Sequence, residues 1–387
     1  MVDTKKTLES INFNAADVVN GITTIGSLIG NFVPYVGPAA TAFRVIFKFL
    51  NGDKDQSDLD QLKPSFDRLH QRFDQVDDKL NQLMTEFKKH GYTLRQEKVM
   101  IDLSARFDHF LAHPELDHPR HMFNTSCAKF PTFDLMSFIN AKVVGQGLLI
   151  NGPKEVADRR NLLVNFRDVT SVLIKTTILH AACFSAMNGH RMSEDQLKRE
   201  YSADGARFGR IATRVEQAFT EADNFIVRNF MPPVRADVAR FAERHSSMTN
   251  KDFANRLFGQ LKSKYFWREW LVGSYSGSFS AKHDGETRSN STIFELGKNG
   301  RSYFVSTPRD GQVANENCVN EKLVKGGFIR RILGGCPSNV NRVRGCVSTS
   351  STILCVQDGS KLSYAGDTRS RGIHAEKVNG YLMFIVG

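Results

Sequence analysis

The stretch from Asp58 to Phe87 reads DLDQLKPSFDRLHQRFDQVDDKLNQLMTEF. Leu59, Leu62, Phe66, Leu69, Phe73, Val76, Leu80, Leu83 and Phe87 recur in it at alternating steps of three and four. The residues between them are almost all polar or charged. That is the pattern of a helix with a narrow apolar seam. The spacing predicts one long helix from about Ser57 to Ala105. Asp58 and Asp60 sit in its first turn, where carboxylates suit the helix dipole, and Pro64 falls close to a helix start. Three phenylalanines are bulky for a two-stranded coil, so the seam is expected to pack inside a multi-helix bundle.

Directly upstream, Val18 to Phe43 carries no charge. Gly21, Gly26, Gly30, Pro34, Gly37 and Pro38 break this run. A spanning helix needs about 20 continuous apolar residues, so the segment reads as two short limbs joined by a turn at Pro34–Pro38. Its candidate membrane-insertion residues are Gly26, Gly30, Phe32, Val33, Pro34, Tyr35, Val36, Gly37 and Pro38. The structural alternative is an ordinary buried hairpin whose small residues allow close packing.

Further along, two more helices are predicted. One runs from about Val156 to Met187 and is apolar on more than one side, as a central helix would be; Asp168, Lys175 and His180 interrupt it. The next, from about Glu194 to Phe230, alternates as a surface helix does and is expected to end at Pro232-Pro233. Composition then shifts near Ser274 toward glycine, serine, threonine and short β-rich runs. These are Ser291–Leu296, Arg301–Val305, Gly327–Leu333, Ser351–Val356 and Tyr381–Val386, separated by turn signals such as Asn299-Gly300 and Asn379-Gly380. The expected fold is α+β. An N-terminal multi-helix bundle with a long heptad-patterned helix and the apolar hairpin spans 1–270, and a small antiparallel β-rich recognition domain spans 271–387.

The chain of 387 residues has a net charge of +11, which favours acidic partners. Basic residues are scattered singly or in pairs, and no nucleic-acid module signature appears, so no nucleic-acid partner is expected. Of six cysteines, Cys318, Cys336, Cys346 and Cys355 crowd the tail without CxxC spacing. They read as two candidate disulfides in any of three pairings rather than as a zinc site. Cys183, on the apolar helix, reads as a buried small residue. Asn124-Thr125-Ser126 and Asn290-Ser291-Thr292 are glycosylation triplets in form.

Catalytic signatures are missing: no GxSxG, no phosphate-binding loop and no dinucleotide fingerprint occur. The one metal-like constellation is His109, His113, His118 and His121 with Glu115 and Asp117, which Pro114 and Pro119 interrupt; a polar interhelical corner accounts for it, so no metal and no cofactor are expected. The chain is therefore read as a non-enzyme. In the β region, Tyr275, Phe279, Tyr303, Phe304, Tyr364 and Tyr381 are candidates for a sugar or headgroup site, set against the reading that most are core. Met1 to Asn14 is polar and does not look like a secretory leader.

The hairpin Gly26–Pro38, the ladder Phe66–Phe87 and the helix around Val169–Cys183, with a β-rich tail, together resemble the α-helical pore-forming toxins. The likeness is nearest to the jellyfish toxin family and more remote to the helical domain of the three-domain δ-endotoxins. The chain departs from these in showing no leader and in being too short for two complete β-domains of the δ-endotoxin kind. The resemblance implies a secreted cytolysin that binds a membrane lipid or glycan receptor through its β domain, homo-oligomerises and inserts helices into the target membrane. The alternative is an intracellular or secreted interaction scaffold, with a helical oligomerisation bundle and a β recognition module.

Overall fold

A computed structural model describes residues 83, 85–91, 94–113, 116–128, 132–188, 194–276, 292–298, 301–308, 316–322, 336–347, 352–357, 362–367, 373–378 and 381–386. They fall into two compact units divided between Val227 and Arg228. Helices and small antiparallel sheets together make the α+β class expected.

In the first unit the ladder helix does not continue to Ala105. Residues 85–89 are helical, then the chain turns at His90 and Gly91. Amides of His90 and Gly91 donate back to the carbonyls of Phe87 and Lys88. Gly91 has φ +94°, the left-handed conformation in which glycine ends helices without a Cβ penalty. The single helix predicted over Ser57–Ala105 is thus corrected: periodicity carries past a stop that one glycine imposes.

The chain resumes in α1 (Leu94–Ala112), α2 (Asp117–Cys127) and α3 (Thr132–Phe138). A wider π-helical turn, Ile139–Gly145, follows α3 and is succeeded by α4 (Asn151–Glu155). Then come α5 (Arg159–Asn188) and α6 (Glu194–Asn229), both within a few residues of their predicted bounds. The Asp158 carboxylate accepts the Asn161 amide at 3.0 Å and caps the start of α5. Pro232 and Pro233 do not end α6; they occupy the first turn of α7 (Met231–Arg244), where a missing N–H costs nothing.

The apolar helix α5 lies against α1, α2, α3 and α4. Leu162, Phe166, Val169, Val172, Leu173, Leu179 and Ala182 are buried. Helix α5 also touches α6 through side chains: the Phe166 and Phe219 rings are 5.2 Å apart. At the α6 end, Arg159 forks onto Asp223 through Nε at 2.6 Å and Nη2 at 3.0 Å.

The second unit is layered. Strands β1 (Leu271–Ser276), β2 (Thr292–Lys298), β3 (Arg301–Ser306) and β5 (Ser363–Gly366) form one sheet in the order β2-β3-β1-β5. A second sheet is ordered β4-β7-β6, from β4 (Thr352–Gln357), β6 (Ile373–Val378) and β7 (Tyr381–Val386). Every pairing is antiparallel. Side chains alternate across each strand with period two, and the cores follow that alternation. Leu271, Tyr275 and Phe304 of one sheet pack on Leu354, Ile373, Phe384 and Val386 of the other. The opposite face of the second sheet places Ile353, Met383 and Ile385 against Val319 of α9 (Glu316–Lys322) and Val340 and Val343 of α10 (Cys336–Val343).

Helix α8 (Asn250–Lys264) covers the outer face of the first sheet, lying on β1 and β5. Thr249 caps it, accepting the Asp252 amide at 3.1 Å while its hydroxyl donates to the Asp252 carboxylate at 2.8 Å. Phe253, Ala254, Leu257 and Leu261 form its buried face. The order of layers is therefore helix, sheet, sheet, helix. At Gly273 a Cβ would meet the Phe304 ring at 2.2 Å; the strand needs glycine there for the aromatic side chain to cross it.

Candidate functional site

The candidate insertion residues Gly26, Gly30, Phe32, Val33, Pro34, Tyr35, Val36, Gly37 and Pro38 lie outside the described residues, as do the seam residues Leu59, Leu62, Phe66, Leu69, Phe73, Val76 and Leu80. The last two rungs are described. Leu83 and Phe87 are both buried, and the Phe87 ring sits 5.0 Å from that of Phe138.

Among the described residues, two disulfides staple the chain. Cys127 at the end of α2 is bonded to Cys183 on α5, 56 residues away. Cys183 is buried, as read from the sequence, and it is half of a cross-link that the spacing of the cysteines did not announce. Cys318 on α9 is bonded to Cys346, just past α10, which selects one partner from the tail set. Cys336 opens α10 and Cys355 lies on β4; their side chains are not among those described. Disulfides persist in oxidising compartments, and these two mark the protein as extracellular or secreted.

Two charged or titratable pairs are built into the α5–α6 contact. Asp223 neutralises the nearly buried Arg159, whose side chain is 5% exposed. About two helical turns before Asn188, His180 Nε2 faces Asp204 Oδ2 at 3.3 Å, with Phe208 edge-on to the imidazole. Burial lowers the His180 pKa from its ordinary value, against the opposing hydrogen bond and charge of Asp204. The imidazole is therefore neutral in the folded helix pair at neutral pH.

The outer side of α6 is different. Arg207, Arg210 and Arg214 are exposed, and so is Phe225, at 44%. Lys154 of α4 stands over the Phe225 ring at 4.5 Å. Val156, just beyond α4, is 53% exposed. Arg214 reaches the π-helical turn, donating to the Asn140 side chain at 3.4 Å. The spacing of these arginines was readable in the sequence, but alternation alone identifies only a surface helix and gives no reason to single out one flank.

The histidine constellation does not assemble. His109 and His113 stack edge-to-face at 5.2 Å, whereas His113, His118 and His121 are exposed. No group of three metal-ligating side chains occurs among the described residues. Of the β-region aromatics, Tyr275, Tyr303 and Phe304 are core. Burial, then the charges of Glu295 and Glu243, pushes Tyr303 up to about 12, and burial likewise raises Tyr275 against its bond with Ser302. Tyr364 alone of the described set is exposed, its edge against Phe384 at 5.0 Å; the Phe279 and Tyr381 side chains lie outside the described ones. The Asn124 triplet sits inside α2, with the Asn124 carboxamide oxygen and Ser126 buried.

Around Asp237 of α7 the second unit holds a polar knot. Lys264 Nζ and the Tyr265 hydroxyl each donate to its carboxylate at 2.7 Å, and Arg240 donates to it as well. Burial alone would raise this carboxyl; the bonds from Lys264 and Tyr265, the Lys264 charge and the Arg240 bond outweigh it and lower the pKa. Tyr265, Trp267 and Trp270 then gather on Phe230. These contacts fasten α7 to α8 and serve stability.

Among the described residues, no helix is long and apolar enough to cross a membrane. No protein-family model, curated protein or solved structure matches this chain.

Proposed function

We propose that this is a secreted membrane-perforating protein. It stays water-soluble until it meets a lipid or glycan on a target cell, then oligomerises and inserts its apolar hairpin. One observation carries the reading: the charge-free, glycine- and proline-broken run Val18–Phe43 stands directly before a heptad ladder. An amphipathic helix supplies an apolar seam on which such a run can be sheltered in water, and a Gly/Pro-broken run can reopen as a hairpin in lipid. The burial of Leu83 and Phe87 at the end of that ladder supports the seam as a packing surface. The disulfides fit a protein that works outside the cell. Release of dye from liposomes is the test, run across lipid composition and pH; intact vesicles under every condition would remove the reading.

A further inference from the structure

The flank of α6 bearing the arginines has a geometry that specifies more than a solvated surface. A helix turns 3.6 residues at a time, so the 18 residues from Arg207 to Phe225 make five whole turns and bring both to the same side. Arg210, Arg214 and Glu221 fall within about 60° of that line on the same angular count. Spaced by 1.5 Å per residue, the line runs roughly 27 Å along the helix. It carries three guanidinium groups at one end and a single carboxylate before an exposed phenylalanine at the other. Lys154 stands over that phenylalanine, and the exposed Val156 belongs to the same α4 turn.

We propose that this flank, with the α4 turn, is where the helical unit docks on a membrane of anionic phospholipid. The proposal rests on the membrane reading above and adds the place of first contact and the lipid chemistry it selects. Guanidinium forks pair with phosphate oxygens in bidentate fashion. An aromatic ring and a small apolar side chain with a lysine beside them match the depth of the headgroup boundary, where amphipathic groups settle. Arg214 is held by the neutral Asn140 side chain, which fixes its direction without cancelling its charge. Asp204, a turn before Arg207, is turned toward His180, and Asp223 toward Arg159, so two of the carboxylates on α6 are engaged inward. A nucleic acid or sulfated glycan would use the cations and leave Phe225 and Val156 in water; a lipid surface uses both.

The test is cosedimentation of the full chain with vesicles of phosphatidylcholine alone and of phosphatidylcholine with phosphatidylserine, at low and high salt. Each cation near an anionic leaflet contributes a factor of about five to binding, so Arg210→Gln with Arg214→Gln should weaken binding to the anionic vesicles about thirtyfold. Phe225→Ser should weaken it several-fold at both salt concentrations. Lys251→Gln with Arg256→Gln, exposed cations of α8, should bind as the parent does. Anionic binding that the arginine pair does not alter overturns the docking flank while leaving the membrane reading intact. Binding to neither vesicle overturns both. Binding to heparin that is lost in the arginine variant, with none to vesicles, assigns the flank to a polyanion and overturns the lipid proposal.

Discussion

Replacing Cys127 and Cys183 together by alanine removes the covalent tie between α2 and α5. In the chain-entropy account a disulfide restrains the unfolded chain by an amount that grows with the logarithm of the loop it closes. For the separation of 56 residues the expected loss is ~4 kcal/mol. Cys318 and Cys346 are 28 apart, half that separation, and each halving reduces the effect by about 0.6 kcal/mol. The two double variants should therefore both be strongly destabilised, the first slightly more. Both helical cysteines are buried, so alanine also leaves a small void and adds to the first loss. Guanidinium unfolding in non-reducing buffer measures this. Far-ultraviolet ellipticity follows the helices, while fluorescence follows Trp267 and Trp270, the only two tryptophans in the chain, in the unit holding Cys318–Cys346. The parent protein under full reduction should approach the combined variant. A loss below about 1 kcal/mol for Cys127→Ala with Cys183→Ala would refute the tie as a stabilising element.

Other outcomes follow from the same geometry. Asp237→Asn should cost about 2 kcal/mol, since it leaves Lys264 and Tyr265 without their charged acceptor; thermal unfolding reads it. Because the Asp237 pKa is lowered in the folded protein, its contribution is present above the ordinary carboxyl value of 3.8 and is lost as pH falls through the folded value. The acid-unfolding midpoint should accordingly rise in the asparagine variant. His180 works in the same direction at higher pH: its folded pKa lies below 6.5, so the unfolded chain binds more protons in mild acid. Stability should decline as pH drops below 6.5 and level off under the folded value, and His180→Leu should flatten that slope. Gly273→Ala should destabilise the β unit by roughly 2 kcal/mol through overpacking on Phe304, with Phe304→Leu restoring part of the loss in denaturant melts.

Much of this fold was legible where pattern and local chemistry agree. The apolar helix and the amphipathic helix after it were placed nearly to the residue, because both keep one periodicity over thirty residues or more. Strands β2, β3, β4 and β7 match their predicted runs, and the pairings Lys298↔Arg301 and Val378↔Tyr381 bracket the Asn-Gly turn signals. Strand β1 was missed because Leu-Val-Gly-Ser-Tyr-Ser has weak β propensity and is held by α8 and by two neighbouring strands. The four-residue β5 and the polar β6 are likewise strands by pairing rather than by composition. Helices α9 and α10, short and closed by a disulfide, owe their place to Cys318 and Cys346. Of the candidate site, the exposed flank of α6 was hidden for another reason: a surface helix reveals which side is buried, but the partner of its outer side is written in azimuth and exposure together. The pairing of Cys127 with Cys183 is a tertiary fact that no spacing rule contains.

The central claim concerns the run around Gly26–Pro38. Val36→Cys, labelled with an environment-sensitive fluorophore, should brighten and shift to the blue when the protein meets anionic vesicles, and a quencher carried on lipid acyl chains should extinguish it. Adding Val33→Asp should abolish that change while the protein still sediments with the vesicles, because a charge at bilayer depth is costly. An unchanged spectrum on vesicles that the parent protein binds would show that the run stays out of lipid and would contradict the account.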